Sequence, residues 1–168
     1  MNIRQLTGAD VEIYRALRLY CLREAPHAFT NSYEEFSQRT LDSITQQLRG
    51  QENFMLGAFE DEQLMGLVGM VGFYRETALK LRHKGNIVSM YVRPEYRSRG
   101  IARALLVEAI ARARRLSDLK QLLLGVVVTQ TTAKRLYESL GFTAYGREPH
   151  AVKIGDEYFD EEFMVLEL

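Results

Sequence analysis

The sequence predicts a single α/β domain, and three observations carry that expectation. Residues 122–128, LLLGVVV, form a short continuous apolar run, as a strand covered on both faces requires. Ile87 to Val92 reads as an earlier strand with β-branched members. Between them Ile101, Leu105, Leu106, Ala109, Ile110 and Ala113 recur at three- and four-residue spacing, the signature of a helix with one apolar face. Together they make one βαβ unit from Ile87 to Val128, whose crossover is expected to be right-handed. No repeat, low-complexity segment or linker divides the 168 residues, so 1–168 reads as one domain, long enough for a real core.

The remaining elements follow in order. Asn2 to Leu6 starts the chain as a short strand. Thr7 and Asp10 stand three apart, a capping box opening a helix that buries Val11, Tyr14, Leu17 and Cys21 and frays before Pro26. Cys21, on that apolar face, reads as a small buried hydrophobe. Residues 26–36, PHAFTNSYEEF, are a loop turning into a helix, with Ser32 and Glu35 as a second capping box. Leu41 to Leu48 is helical and stops at Gly50. Asn53 to Glu60 and Gln63 to Tyr74 read as strands joined by an acidic turn at Asp61-Glu62. Gly66, Gly69 and Gly72 weaken the second of these and point to a bulge or a close neighbour. Arg75 to Gly85 is polar and irregular, and His83 reads as a solvated loop residue. After the βαβ unit, TQTTAKRLYESLGF gives a helix ending at Gly141. Phe142 to Gly146 and Glu157 to Leu168 are closing strands around a turn at Ile154-Gly155-Asp156.

Charge and composition narrow the function. Lys+Arg and Asp+Glu are both 22, so no global field draws the chain to nucleic acid or to a membrane. The balance hides an asymmetry: Arg93, Arg97, Arg99 and Arg103 crowd one loop against Glu95, whereas every charged residue after Lys153 is acidic. One Cys excludes an internal disulfide and suits a reducing compartment. The opening residues hold no signal-peptide core and no apolar run approaches a membrane span, so a cytoplasmic protein is expected.

The chemistry concentrates where the central helix begins. Pro94 ends the strand before it, since it supplies no N–H and forces its neighbour out of the helical region. Arg97, Ser98, Arg99, Gly100, Ile101 and Ala102 follow, the pattern R-x-x-G-x-A. The first turn of a helix has free N–H groups and the positive end of the macrodipole, and Gly100 lets a bulky anion approach the backbone. The loop is neither the dinucleotide fingerprint nor a P-loop. Placed after V-R-P-E-Y and before a helix rich in alanine and leucine, it resembles the acyl-CoA pyrophosphate loop of the GNAT superfamily of N-acetyltransferases, Q/R-x-x-G-x-G/A. A second family pattern, N-x-x-A-x-x-L-Y-x-x-x-G-F, is met in register by Gln130, Ala133, Leu136, Tyr137, Gly141 and Phe142. Gln130 stands where asparagine is usual, with the same amide one methylene further out.

The resemblance implies a GNAT-like domain: a mixed central sheet with splayed parallel strands 4 and 5, flanked by helices. It implies acetyl-CoA as co-substrate and no metal. The backbone of Met90, Tyr91 and Val92 is then expected to pair with the pantetheine arm, which Gln130 also contacts. The amides from Ser98 through Arg99, Gly100, Ile101 and Ala102 to Arg103 are expected to meet the pyrophosphate, with Arg97, Arg99 and Arg103 adding charge. Tyr137 falls where the family carries a general acid for the leaving thiolate. The implied reaction is acetyl transfer to a primary amine of a small molecule or peptide, by direct attack in a ternary complex, since neither motif holds a cysteine. Two other readings stay open: a catalytically idle acyl-CoA-binding sensor, and a protein lysine or N-terminal acetyltransferase. A homodimer paired through terminal strands is compatible with the family.

The acceptor side is less defined. The resemblance places Phe29, Tyr33 and Glu34, and the segment His150 to Tyr158, around the acceptor, where aromatic rings with carboxylates would suit a cationic or amphipathic amine. No base stands out. Glu34, Glu35 and Glu76 are acidic in segments that could face the acceptor, and nothing in the sequence selects among them. Asp160, Glu161 and Glu162 read equally as an edge strand kept charged against aggregation.

Overall fold

The computed structural model describes residues 1–50, 52–60 and 66–168. The expected turn at Asp61-Glu62 and the expected strand start at Gln63 lie outside the described residues. Seven strands form one mixed sheet: β1 (Asn2–Gln5), β2 (Phe54–Phe59), β3 (Leu67–Arg75), β4 (Lys84–Val92), β5 (Gln121–Val127), β6 (Thr143–Ile154) and β7 (Glu157–Glu167). Their spatial order is β1-β2-β3-β4-β5-β7-β6. Only β4 and β5 run parallel; every other neighbouring pair is antiparallel. The helices are α1 (Val11–Glu24), α2 (Tyr33–Ser37), α3 (Leu41–Leu48), α4 (Ile101–Ala113) and α5 (Thr131–Ser139). Among the described residues no helix is long and apolar enough to cross a membrane.

The sheet is sandwiched between two helical layers, and strand alternation decides which residue serves which. Phe54, Leu56 and Ala58 of β2 join Leu105, Leu106 and Ala109 of α4 in one core, while Met55 and Phe59 join Tyr14, Leu17 and Ile44 of α1 and α3 in the other. Hence β2 is buried along its whole length. All six apolar positions expected on the central helix are buried. On α1, Tyr14, Leu17 and Cys21 are buried as expected, Val11 is half-buried, and Arg18 is buried with them. Asp10 anchors the start of α1: its carboxylate accepts from Thr7 N and Thr7 Oγ1, and from both terminal nitrogens of Arg4 at 2.6 and 2.8 Å. Arg4 and those donors hold the Asp10 carboxyl down to about 2.

Two expectations need correction. The strand expected at Phe142 to Gly146 is the first part of β6, which runs on to Ile154. Pro149 and the polar run before it mask the continuation. The strand survives them by bulging between Glu148 and Val152, where His150 adopts φ 56° and its N–H is held by Asp160 Oδ1 at 2.9 Å. β7, in turn, is no edge, because it lies between β5 and β6. Its carboxylates have partners instead: Asp160 receives Arg147 at 2.7 Å, and Glu162 meets Lys134 of α5 at 2.6 Å.

Candidate active site

β4 and β5 pair only at Lys84↔Gln121, Gly85↔Leu122 and Asn86↔Leu123. Beyond that point β4 continues to Val92 and β5 to Val127 without pairing to each other, so the sheet opens into a wedge. A bulge in β4 drives the parting. Gly72 faces Val88 and Met70 faces Tyr91, so two residues of β4, Ser89 and Met90, oppose the single Val71, and Ser89 takes φ 55°. Of the glycines expected to mark a close neighbour, Gly69 and Gly72 do so: a Cβ on Gly69 would stand 3.0 Å from the Tyr91 carbonyl oxygen, and one on Gly72 3.0 Å from Val88 Cγ2. Past the bulge, Arg93 N donates to Val68 O at 2.9 Å, so alternation turns the peptide groups of Tyr91 toward β3 and those of Val92 toward the wedge.

The basic loop closes the wide end of the wedge. Ser98 and Gly100 both have positive φ, 62° and 77°, which turns successive N–H groups to one concave side. Gly100 is the N-cap of α4, no side chain caps that helix, and a Cβ on Gly100 would meet nothing within 4 Å. Ser98, Arg99 and Gly100 are exposed, Ile101 is buried and Ala102 half-buried beneath them. This is a fixed cradle of amides with room above it, and its donor set suits the diphosphate of acetyl-CoA. The three loop arginines are spread. Arg97 donates from Nε to Val92 O at 3.0 Å and from a terminal nitrogen to Glu24 Oε2 at 2.9 Å. Arg99 pairs with Glu60 at 2.9 Å, and Arg103 reaches Ser139 Oγ at 3.1 Å.

Glu24 was invisible to motif reading. Its Oε2 also accepts from the Tyr91 hydroxyl at 2.9 Å, so one carboxylate at the end of α1 ties β4 to the loop. Burial and that acidic partner push the Tyr91 phenol up. Gln130 is the N-cap of α5, half-buried, with its side chain free of the cap. Tyr137 lies two turns along α5 and is 7% exposed, its ring edge-on to Phe142 at 6.0 Å. Burial pushes its phenol up to about 12, and among the described residues no side chain takes its hydroxyl in a hydrogen bond. It is therefore a protonated donor at neutral pH. Cys21 is fully buried and its thiol is pushed up to about 11, which leaves it inert.

On the opposite face a cleft of about 510 Å³ brings Phe29, Tyr33 and Glu34 together with residues 152–155 at the β6–β7 turn. Its chemistry differs from the expected aromatic-plus-carboxylate box. The Arg18 guanidinium already sits 4.5 Å from the Phe29 ring centre, and Arg23 sits 3.9 Å from that of Tyr33. Arg23 and Lys153 line the cleft against Glu34, and among the described residues neither cation has a carboxylate partner. The other candidate bases fall away: Glu35 caps α2 through Ser32 N at 2.9 Å, and Glu76 holds Asn86 at the closed end of the wedge at 2.8 Å. His83 is exposed.

The mixed sheet that parts between parallel β4 and β5 defines a class of fold, that of the acetyltransferases. The Acetyltransferase (GNAT) family matches residues 16–142, most of the chain, and the chain belongs to that family. An L-methionine sulfoximine/L-methionine sulfone acetyltransferase from Salmonella typhimurium is 38% identical over 82 residues, 48% of this chain and 46% of that protein. The chain thus aligns with about half the length of that curated relative. The ribosomal-protein-alanine N-acetyltransferase of Brucella melitensis superposes with TM-score 0.84 at 26% identity, covering 100% of both chains. An acetyltransferase from Salmonella typhimurium, solved with its cofactor acetyl-CoA, shares the fold at TM-score 0.83 and 22% identity, over 99% of this chain and 93% of that one.

Proposed function

We propose that this chain transfers the acetyl group of acetyl-CoA to the primary amine of a small molecule by direct attack in a ternary complex. The observation that carries the reading is the parting of β4 from β5 beside an uncapped helix N-terminus. The parted strand edges, where Arg97 takes the Val92 carbonyl, lead to the amides of Ser98 to Arg103 at the uncapped start of α4. When bound, acetyl-CoA supplies a thioester carbonyl for the amine to attack. Gly100 and the residues after it would hold the diphosphate. Met90 and Val92, with Gln130, would hold the arm, and an N–H of β4 would stabilise the developing oxyanion. Tyr137 donates a proton to the departing sulfur, its raised pKa keeping the phenol protonated until that step. The inert state of Cys21 favours direct transfer over a covalent acyl-enzyme.

Arg23 and Lys153 in the cleft favour an acceptor that carries a carboxylate beside its amine, and the Salmonella relative of amino-acid sulfoximines and sulfones is consistent with that. The Brucella relative gives a second reading, a protein N-terminus as acceptor. Thiol release from acetyl-CoA distinguishes them. The first reading expects turnover on L-methionine sulfone and little on its decarboxylated analogue or on spermidine. Turnover confined to peptide or protein N-termini supports the second. Tight acetyl-CoA binding with no turnover on any amine contradicts both and leaves an idle acyl-CoA sensor.

A further inference from the structure

We infer that Glu161 is the group that takes the proton from the acceptor amine; the assignment rests on the acetyltransferase reading above. Glu161 is on β7, opposite Val127 of β5. Strand alternation places it. Its neighbour Glu162 reaches Lys134 of α5, so Glu162 faces the α4–α5 layer. Phe159 packs edge-on to His27, which lies between α1 and α2, at 4.9 Å between ring centres. Phe159 and Glu161, two apart, therefore share the face on which the acceptor cleft opens.

The second observation is a missing side chain. Gly125 lies two residues past Leu123, the last residue of β5 that pairs with β4, so it forms part of the wall of the wedge. On its α1 side a Cβ would run straight into Glu161 Oε1 and Cδ. The carboxylate of Glu161 thus occupies the space that a β5 side chain would fill, at the level where the strands have parted. Along β7, Phe159 and then Glu161 follow the β6–β7 turn that lines the cleft, and Glu161 lies opposite Val127 past the end of the β4–β5 pairing. The charged and titratable groups on that side are Glu148 across the β6–β7 ladder and His27 between α1 and α2, while Arg147 and Asp160 alternate to the face of Glu162. Burial, with Glu148 adding like charge, raises the Glu161 carboxyl above its ordinary value.

The step balances. The acceptor ammonium gives one proton to the Glu161 carboxylate, and the freed nitrogen lone pair forms the N–C bond as the C–S bond of the thioester breaks. The sulfur leaves with its electron pair and takes a proton from Tyr137. Tyr137 recovers it from the newly bonded nitrogen through solvent, and Glu161 returns the first proton to solvent.

The test uses the full chain with acetyl-CoA, comparing Glu161→Gln with wild type on L-methionine sulfone and on 3,3,3-trifluoroalanine, an amino acid whose amine is already neutral at pH 7. Glu161→Gln is expected to lose about 100-fold in kcat/KM on the sulfone and to lose the acid limb of the pH profile. Its loss on 3,3,3-trifluoroalanine should be severalfold only, with the Kd for CoA unchanged. Gly125→Ala, which pushes the carboxylate aside without removing it, should lower kcat in the same direction while the chain stays folded. An unchanged acid limb in Glu161→Gln, or an equal loss on both amines, overturns the assignment and leaves the acetyltransferase reading standing. Absence of wild-type turnover on every amine overturns both.

Discussion

The two sides of the wedge between β4 and β5 are built by opposite means. On the side proposed for the cofactor, consecutive residues from Arg97 to Arg103 form the amide cradle, and their geometry follows from a proline, a bulge and one glycine. On the side proposed for the acceptor, the cleft draws its walls from residues 22–34 and 152–155, and the carboxylate against Gly125 comes from β7. A local cradle can stay constant while a wall assembled from distant loops changes its contents. Loops placed on a rigid sheet are where binding specificity resides.

The comparison breaks first at Gly100. Gly100→Asp sets a β-carbon into φ 77° and an anion against the amides, losing about two charge-assisted bonds of 1.5–3 kcal/mol on top of the strain. Isothermal titration should show CoA affinity falling by about 1,000-fold. Because open space surrounds that position, packing is not the cause, and Tm should fall by only the few degrees that the backbone strain costs. Tyr137→Phe is next: kcat should fall about 100-fold with the Kd for CoA nearly unchanged, since the ring packing against Phe142 survives.

The acceptor wall rests on α1, which Asp10 anchors. The Asp10 carboxyl lies at about 2, below its ordinary 3.8, so its contribution is fully present above about pH 4 and is lost as pH falls through 2. Acid unfolding followed by circular dichroism should therefore show Asp10→Asn about 2 kcal/mol less stable at pH 6, with the two proteins converging near pH 2. The smallest effect is expected in the cleft itself. Arg23→Ala with Lys153→Ala should raise KM for a carboxylate-bearing amine about tenfold and leave kcat and CoA affinity alone, as exposed charges contribute modestly.

The same contrast sets what could be read in the sequence. The βαβ unit and its loop were legible because Pro94, Gly100 and a helical repeat lie within one stretch. The long β6 was not, since Pro149 and polar residues argue against a strand and only Asp160, placed by the fold, supports the bulge. Glu24 looked like any helix-terminal acid until β4 brought Tyr91 to it. Glu161 looked like an edge charge because its position depends on β7 being inserted between β5 and β6. Likewise Phe29 and Tyr33 were found as cleft residues, but nothing local revealed that Arg18 and Arg23 cover their rings.

A crystal of the chain grown with acetyl-CoA tests the central claim most directly. The diphosphate should lie on the amides from Ser98 to Arg103, with the pantetheine arm threaded between β4 and β5 and the thioester facing Tyr137. Density for the cofactor elsewhere, or β4 and β5 paired without a break through Val92, would contradict it.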